Sequence, residues 1–207
     1  IAAIIFAVEI FSLDLAFASL VPLLLASVSA VITTYFFVGT DVLFRFKLVD
    51  VFEVKDIPFY AALAFLTGIA SVYFSKMYFK IINFFEQFNS PFKRLLIGGI
   101  AIGIMLYLIP PLYGEGYGLI NNLLKGNTAA ALKDIPYNLD LENVYVVVLM
   151  LLLIAIFKAI AMTTTFAAGG VGGIFIPTLF MGSALGNAIA KVINHLGFFV
   201  SESNFTL

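Results

Sequence analysis

Three runs of this chain, residues 15–38, 58–85 and 144–168, stay apolar for longer than the roughly 20 residues an α-helix needs to cross a bilayer. Helices that are apolar around their whole circumference cannot all be hidden in the core of a small soluble domain. Lipid must therefore be the solvent for much of the molecule. The stretches 95–112 and 174–193 are shorter but close to spanning length, and 1–12 has the length of a half helix. Composition agrees: 62% of the 207 residues are hydrophobic and 11% are charged, where a soluble domain carries about 25% charge. Mean hydropathy is +1.10. The expected fold class is all-α, a polytopic transmembrane helical bundle, and its unequal helix lengths imply tilted and broken, re-entrant helices.

The same composition excludes several function classes. A net charge of −1 offers no basic face to nucleic acid. Cysteine is absent and His195 is the single histidine, so thiolate and imidazole metal sites lack ligands and neither metal nor cofactor is expected. Paired intramembrane acids are missing too, so an enzyme is not expected. Charge is concentrated in the connections. Residues 39–57 hold Asp41, Arg45, Lys47, Asp50, Glu53, Lys55 and Asp56, and the alternation from Val42 to Leu48 suggests a short extended segment. The linker around Asn89–Arg94 is net basic and 125–143 slightly acidic, which predicts a cytoplasmic 86–94 linker and an external 125–143 loop. Small residues (Ala26, Ser29, Ala30 and Thr33; Gly98, Gly99 and Gly103) predict close helix packing. Residue 1 is Ile, inside an apolar run, which predicts an internal piece of a longer protein.

Between the last two apolar stretches lies Gly169-Gly170-Val171-Gly172-Gly173-Ile174-Phe175-Ile176-Pro177. Glycine-rich backbone in a bilayer leaves N–H groups that hydrocarbon cannot satisfy, so it is tolerated where it lines a cavity or packs against protein. Two readings follow. The run is a packing break between helices, or it is a backbone site for an anion. The order of residues favours the second: glycines allow close approach of a ligand, and Pro177 suits the first turn of a helix. A helix Thr178–Ile193 would aim free N–H groups and the positive end of its dipole into the gap.

At these residues the chain resembles a known family. Gly173-Ile174-Phe175-Ile176-Pro177 matches the GxFxP motif of the CLC family of voltage-gated chloride channels and chloride/proton antiporters. Lys158 to Phe166 resembles the helix that leads into that motif, with its basic residue. Ile4 to Glu9 resembles the family's apolar run ending in glutamate, and Leu112 to Tyr117 its intervening glycine-rich turn. The resemblance spans the chain in order and implies that 1–207 is the central part of a single CLC-type transmembrane domain.

It implies further that the backbone amides of Ile174 and Phe175 contact chloride, with Gly173, Ile176 and Pro177 as the supporting motif. The family's gating glutamate and a serine would lie upstream, and its pore tyrosine downstream. Proton-coupled members often carry a second glutamate directly after the one matching Glu9. Here Ile10 stands in that proton-path position, which tilts the reading toward a passive anion channel, with antiport as the alternative. A membrane scaffold or enzyme whose glycine break only packs helices is the lesser alternative. Glu9 itself is an interfacial helix-end residue or an intramembrane acid. Lys158, deep in an apolar stretch, either reaches an aqueous vestibule, where its field attracts anions, or makes a structural pair. The family implies a multi-pass protein of the cell membrane, chloride as the transported ligand, the lipid bilayer as surroundings, and a homodimer with 15–38 near its interface.

Overall fold

A computed structural model describes residues 17–39, 44, 54–137 and 140–197. Glu9 and Ile10 lie outside the described residues, as does the segment 42–48 apart from Phe44. All regular structure among the described residues is helical. The chain divides into two units, Ile1–Leu43 and Phe44–Leu207. The first contains α1 (Phe17–Val38), with Pro22 inside it and a face of Ala26, Ser29, Ala30 and Thr33 that is exposed. Thr33 Oγ1 donates to Ser29 O at 2.8 Å, so that hydroxyl is satisfied within the helix.

In the second unit each boundary has a local cause. A 3₁₀ turn, Val54–Asp56, leads into α2 (Ile57–Glu86), which starts with a proline in its first turn. α3 (Pro91–Leu108) begins on a proline after the extended Ser90. It stops because Pro110 forces Ile109 out of helical geometry, to φ −132° and ψ 76°. Arg94 Nε donates to Phe88 O at 2.7 Å and pins the basic linker. A second 3₁₀ turn, Pro110–Leu112, is followed by two short helices, α4 (Tyr117–Leu124) and α5 (Thr128–Leu132). Asn127 caps α5 by accepting from Ala130 N at 3.0 Å. α6 (Val144–Ala167) is capped by Asn143, which accepts from Tyr145 N at 3.0 Å, and α7 (Phe175–His195) completes the unit.

α2, α3, α6 and α7 are long and apolar enough to cross a membrane. The predicted stretch 95–112 is shifted to 91–108, since charged Lys93 and Arg94 are tolerated in a first turn and Pro110–Pro111 are not tolerated in a last one. The 125–143 connection is not all irregular: it contains α5, and its few apolar residues Ala131, Leu132 and Ile135 are buried in the same core as Leu119, Ile120 and Leu123 of α4.

α6 is the centre. Val147, Leu151, Ile154, Ala155, Ala159 and Met162 form a buried stripe at helical spacing. α7 lays Phe180, Ala184 and Ala188 into the same core, together with Leu112, Leu119, Ile120 and Leu123. The small residues bring the two backbones close, which is how helices associate where lipid is as apolar as leucine. They run antiparallel: at one end the rings of Tyr145 and His195 meet edge-on with centroids 5.3 Å apart. The glycine run is therefore the bend of a helical hairpin. α3 crosses that bend closely, where a Cβ on the buried Gly98 would collide with Ala168. Gly99 and Gly103 have no such neighbour.

Candidate functional site

The bend separates into two parts. α6 ends in a Schellman motif: Gly170 N donates to Thr165 O at 2.8 Å and Gly169 N to Phe166 O at 3.0 Å. The motif needs a left-handed residue, and Gly169 has φ +101°. A Cβ on Gly170 would press on the side chain and carbonyl of Thr165 at 2.7 and 2.8 Å. These first two glycines are spent on closing a helix.

Beyond Gly170 the backbone donors stop finding acceptors. Among the described residues, none of the amides from Val171 to Ile176 makes a backbone hydrogen bond, and no side chain caps α7. The helical ladder starts at Thr178 N, which donates to Ile174 O at 3.1 Å. Ile174 is the N-cap of α7 and Phe175 its first residue, so the predicted start at Thr178 moves three residues earlier. Pro177 still costs no hydrogen bond, because the first-turn N–H groups have no partner within a helix. A Cβ on Gly173 would meet nothing within 4 Å. Ile174 is 45% and Phe175 67% exposed, and a 21-residue helix directs its dipole through them. Such an end can hold an anion with partial charges alone.

An apolar cleft of about 180 Å³ runs beside this end, between α2 and α7. Two of its three lining hydroxyls are spent on carbonyls of their own helices. Thr67 Oγ1 donates to Leu63 O and Ala64 O, each at 3.0 Å, and Thr178 Oγ1 to Phe175 O at 2.8 Å. The donors that remain for an anion are the backbone amides and the hydroxyl of Ser71, which also lines the cleft.

Lys158 is not brought to the bend. Where a vestibule-facing charge was one expectation, the structure has its side chain 3% exposed, with Nζ donating to Gly114 O at 2.7 Å and to Leu112 O at 3.1 Å. The ammonium also sits 4.5 Å from the centroid of the Phe180 ring, and Glu115 adds an attractive field from the turn. An amine buried in a spanning helix needs acceptors, and a 3₁₀ turn followed by left-handed Gly114 has carbonyls to spare. Sequence reasoning missed these partners. The pair Gly114 and Gly116 around Glu115 was the available signal, but nothing distinguishes Phe180 from the other phenylalanines.

With this geometry in hand, comparison with known proteins is informative. The family model described as "Voltage gated chloride channel" matches residues 1–205. This chain belongs to that family. The voltage-gated ClC-type chloride channel ClcB of Salmonella typhimurium is 24% identical over 189 residues, covering 90% of this chain and 41% of that protein. An uncharacterized protein of Methanocaldococcus jannaschii is 26% identical over 176 residues, covering 84% and 40% respectively. The H(+)/Cl(-) exchange transporter ClcA of Yersinia pestis bv. Antiqua is 27% identical over 158 residues, covering 72% and 29%. The chain thus spans about two fifths of the length of the first curated relatives it matches. No solved structure matches it at comparable stringency. Family membership and, among the described residues, four helices long and apolar enough to cross a membrane make this an integral, multi-pass membrane protein with a CLC-like helical fold.

Proposed function

We propose that the protein containing this chain moves chloride across a membrane as a passive, voltage-gated-type anion channel, with the amides of Ile174 and Phe175 among its chloride contacts. One observation carries the reading: a helix of spanning length starts with uncapped amides, on two exposed residues, directly after a glycine whose missing side chain leaves open space. Partial charges suit transport, since the ion binds well enough to enter and weakly enough to leave. The packing-only reading of the glycine run explains Gly169 and Gly170 but gives no role to Gly173 or to the bare amides. The protein works without an enzymatic step or a cofactor, as a homodimer in the cell membrane. Reading it as a channel also draws on Ile10, whose side chain carries no proton.

Chloride/proton antiport is the second reading, favoured by the relative named as an exchange transporter. Reversal potentials of the full-length protein in vesicles separate the two. A potential that follows the chloride gradient alone supports the channel, and a persistent shift with the proton gradient overturns it in favour of antiport. The site has its own test. Crystals of the intact protein grown in bromide should show anomalous density at the amides of Ile174 and Phe175. Density elsewhere in the pore but none there removes these residues from the pathway.

A further inference from the structure

Among the described residues Lys158 is the one charged side chain that is buried, and anion binding at α7 makes no direct use of it. Its contacts join three elements. From α6 it donates to the carbonyls of Leu112 and Gly114 in the turn, and its ammonium lies over Phe180 of α7. Phe180 is fully buried, and its ring fills the space that a Cβ on Gly116 would occupy. Gly116 also needs its left-handed φ of +83° to start α4. Turn, α6 and α7 are therefore locked at one point. The start of α7 has no such lock, since Ile174 and Phe175 are exposed. Phe180 lies five residues along from Phe175, about 7.5 Å at the helical rise. A slip of one residue at this point would move the first amides by about 1.5 Å and turn them by about 100°.

We propose that Lys158 is a positioning residue: with Gly116 and Phe180 it forms a latch that sets the axial position and rotation of α7, and so the aim of the Ile174 and Phe175 amides. The inference rests on the reading of that helix end as an anion site. It differs from a vestibule role for Lys158, in which only the charge would matter.

The test uses the full-length protein in liposomes and reads the chloride-to-nitrate permeability ratio, with size-exclusion profiles as a folding control. Gly116→Ala leaves every charge in place, yet is expected to shift the ratio about tenfold, because ångström displacements at a geometry-dependent site cost up to about a hundredfold. Lys158→Met should shift it similarly, and the two together no further. If Gly116→Ala fails to fold, Phe180→Leu and Lys158→Met alone decide, and both are expected to shift the ratio. Folded variants that keep the wild-type ratio overturn the latch. An ester in place of the Phe175 amide is the reference. If it shifts the ratio while the latch variants do not, the anion site stands and the latch falls. If it too has no effect, the anion-site reading falls with it.

Discussion

At the bend between α6 and α7 one helix ends closed and the next begins open. The end of α6 spends Gly169 and Gly170 on two hydrogen bonds and a tight fit against Thr165. The start of α7, only a few residues on, has uncapped amides and a glycine with empty space where its side chain would be. The glycines look alike in sequence but do different work. Gly169 and Gly170 serve the backbone of their own helix, a Cβ on Gly172 would press on the Phe166 ring at 2.9 Å, and Gly173 has open space where its side chain would be. Glycine content alone is therefore poor evidence of a ligand site, whereas unpartnered donors at the end of a spanning helix are better evidence.

The contrast can be broken from either side. The largest effect is expected from an ester at Phe175, which deletes one amide of the open end. Loss of a hydrogen bond to a charged group costs about 1.5–3 kcal/mol, or roughly ten- to a hundredfold in chloride affinity. Isothermal titration of the full-length protein should record that with no change in thermal midpoint. Gly170→Ala attacks the closed end. Its methyl has to displace Thr165, so the folded state should lose about 1–3 kcal/mol while chloride affinity is retained. A fall in affinity without a fall in stability would erase the distinction between the two ends. Gly169→Ala should cost about 1–2 kcal/mol in the same thermal assay, because its φ of +101° strains any residue with a side chain. Gly173→Ala is the smallest in stability, within about 0.5 kcal/mol, since its methyl would meet nothing. It sharpens the comparison if it nevertheless weakens chloride, because the methyl would stand where the ion approaches. A marked loss of stability would mean that this glycine, too, is there for packing.

Much of the fold was legible from apolar run length. The runs 58–85 and 144–168 correspond within one residue at each end to α2 and α6, because nothing but a helix satisfies the backbone of such a segment in lipid. The short helices were not legible. Leu119, Ile120 and Leu123 carry a helical stripe, but α4 is only 8 residues long and sits between glycines, so local pattern understates what packing stabilises. The early start of α7 was missed because Pro177 marks a first turn without saying which residue of that turn it occupies.

The sequence by itself determined a helical membrane protein of the chloride channel family, and it marked the GxFxP segment as a glycine-rich break between two apolar helices. Run length, glycine order and motif are local properties, so one dimension is enough to read them. Only the tertiary structure decided that Gly169 and Gly170 close a helix, that the amides from Val171 to Ile176 find no backbone acceptor among the described residues, and that Lys158 serves two carbonyls more than 40 residues away rather than water. A buried charge takes whichever acceptors folding brings to it, and that choice depends on how the helices pack.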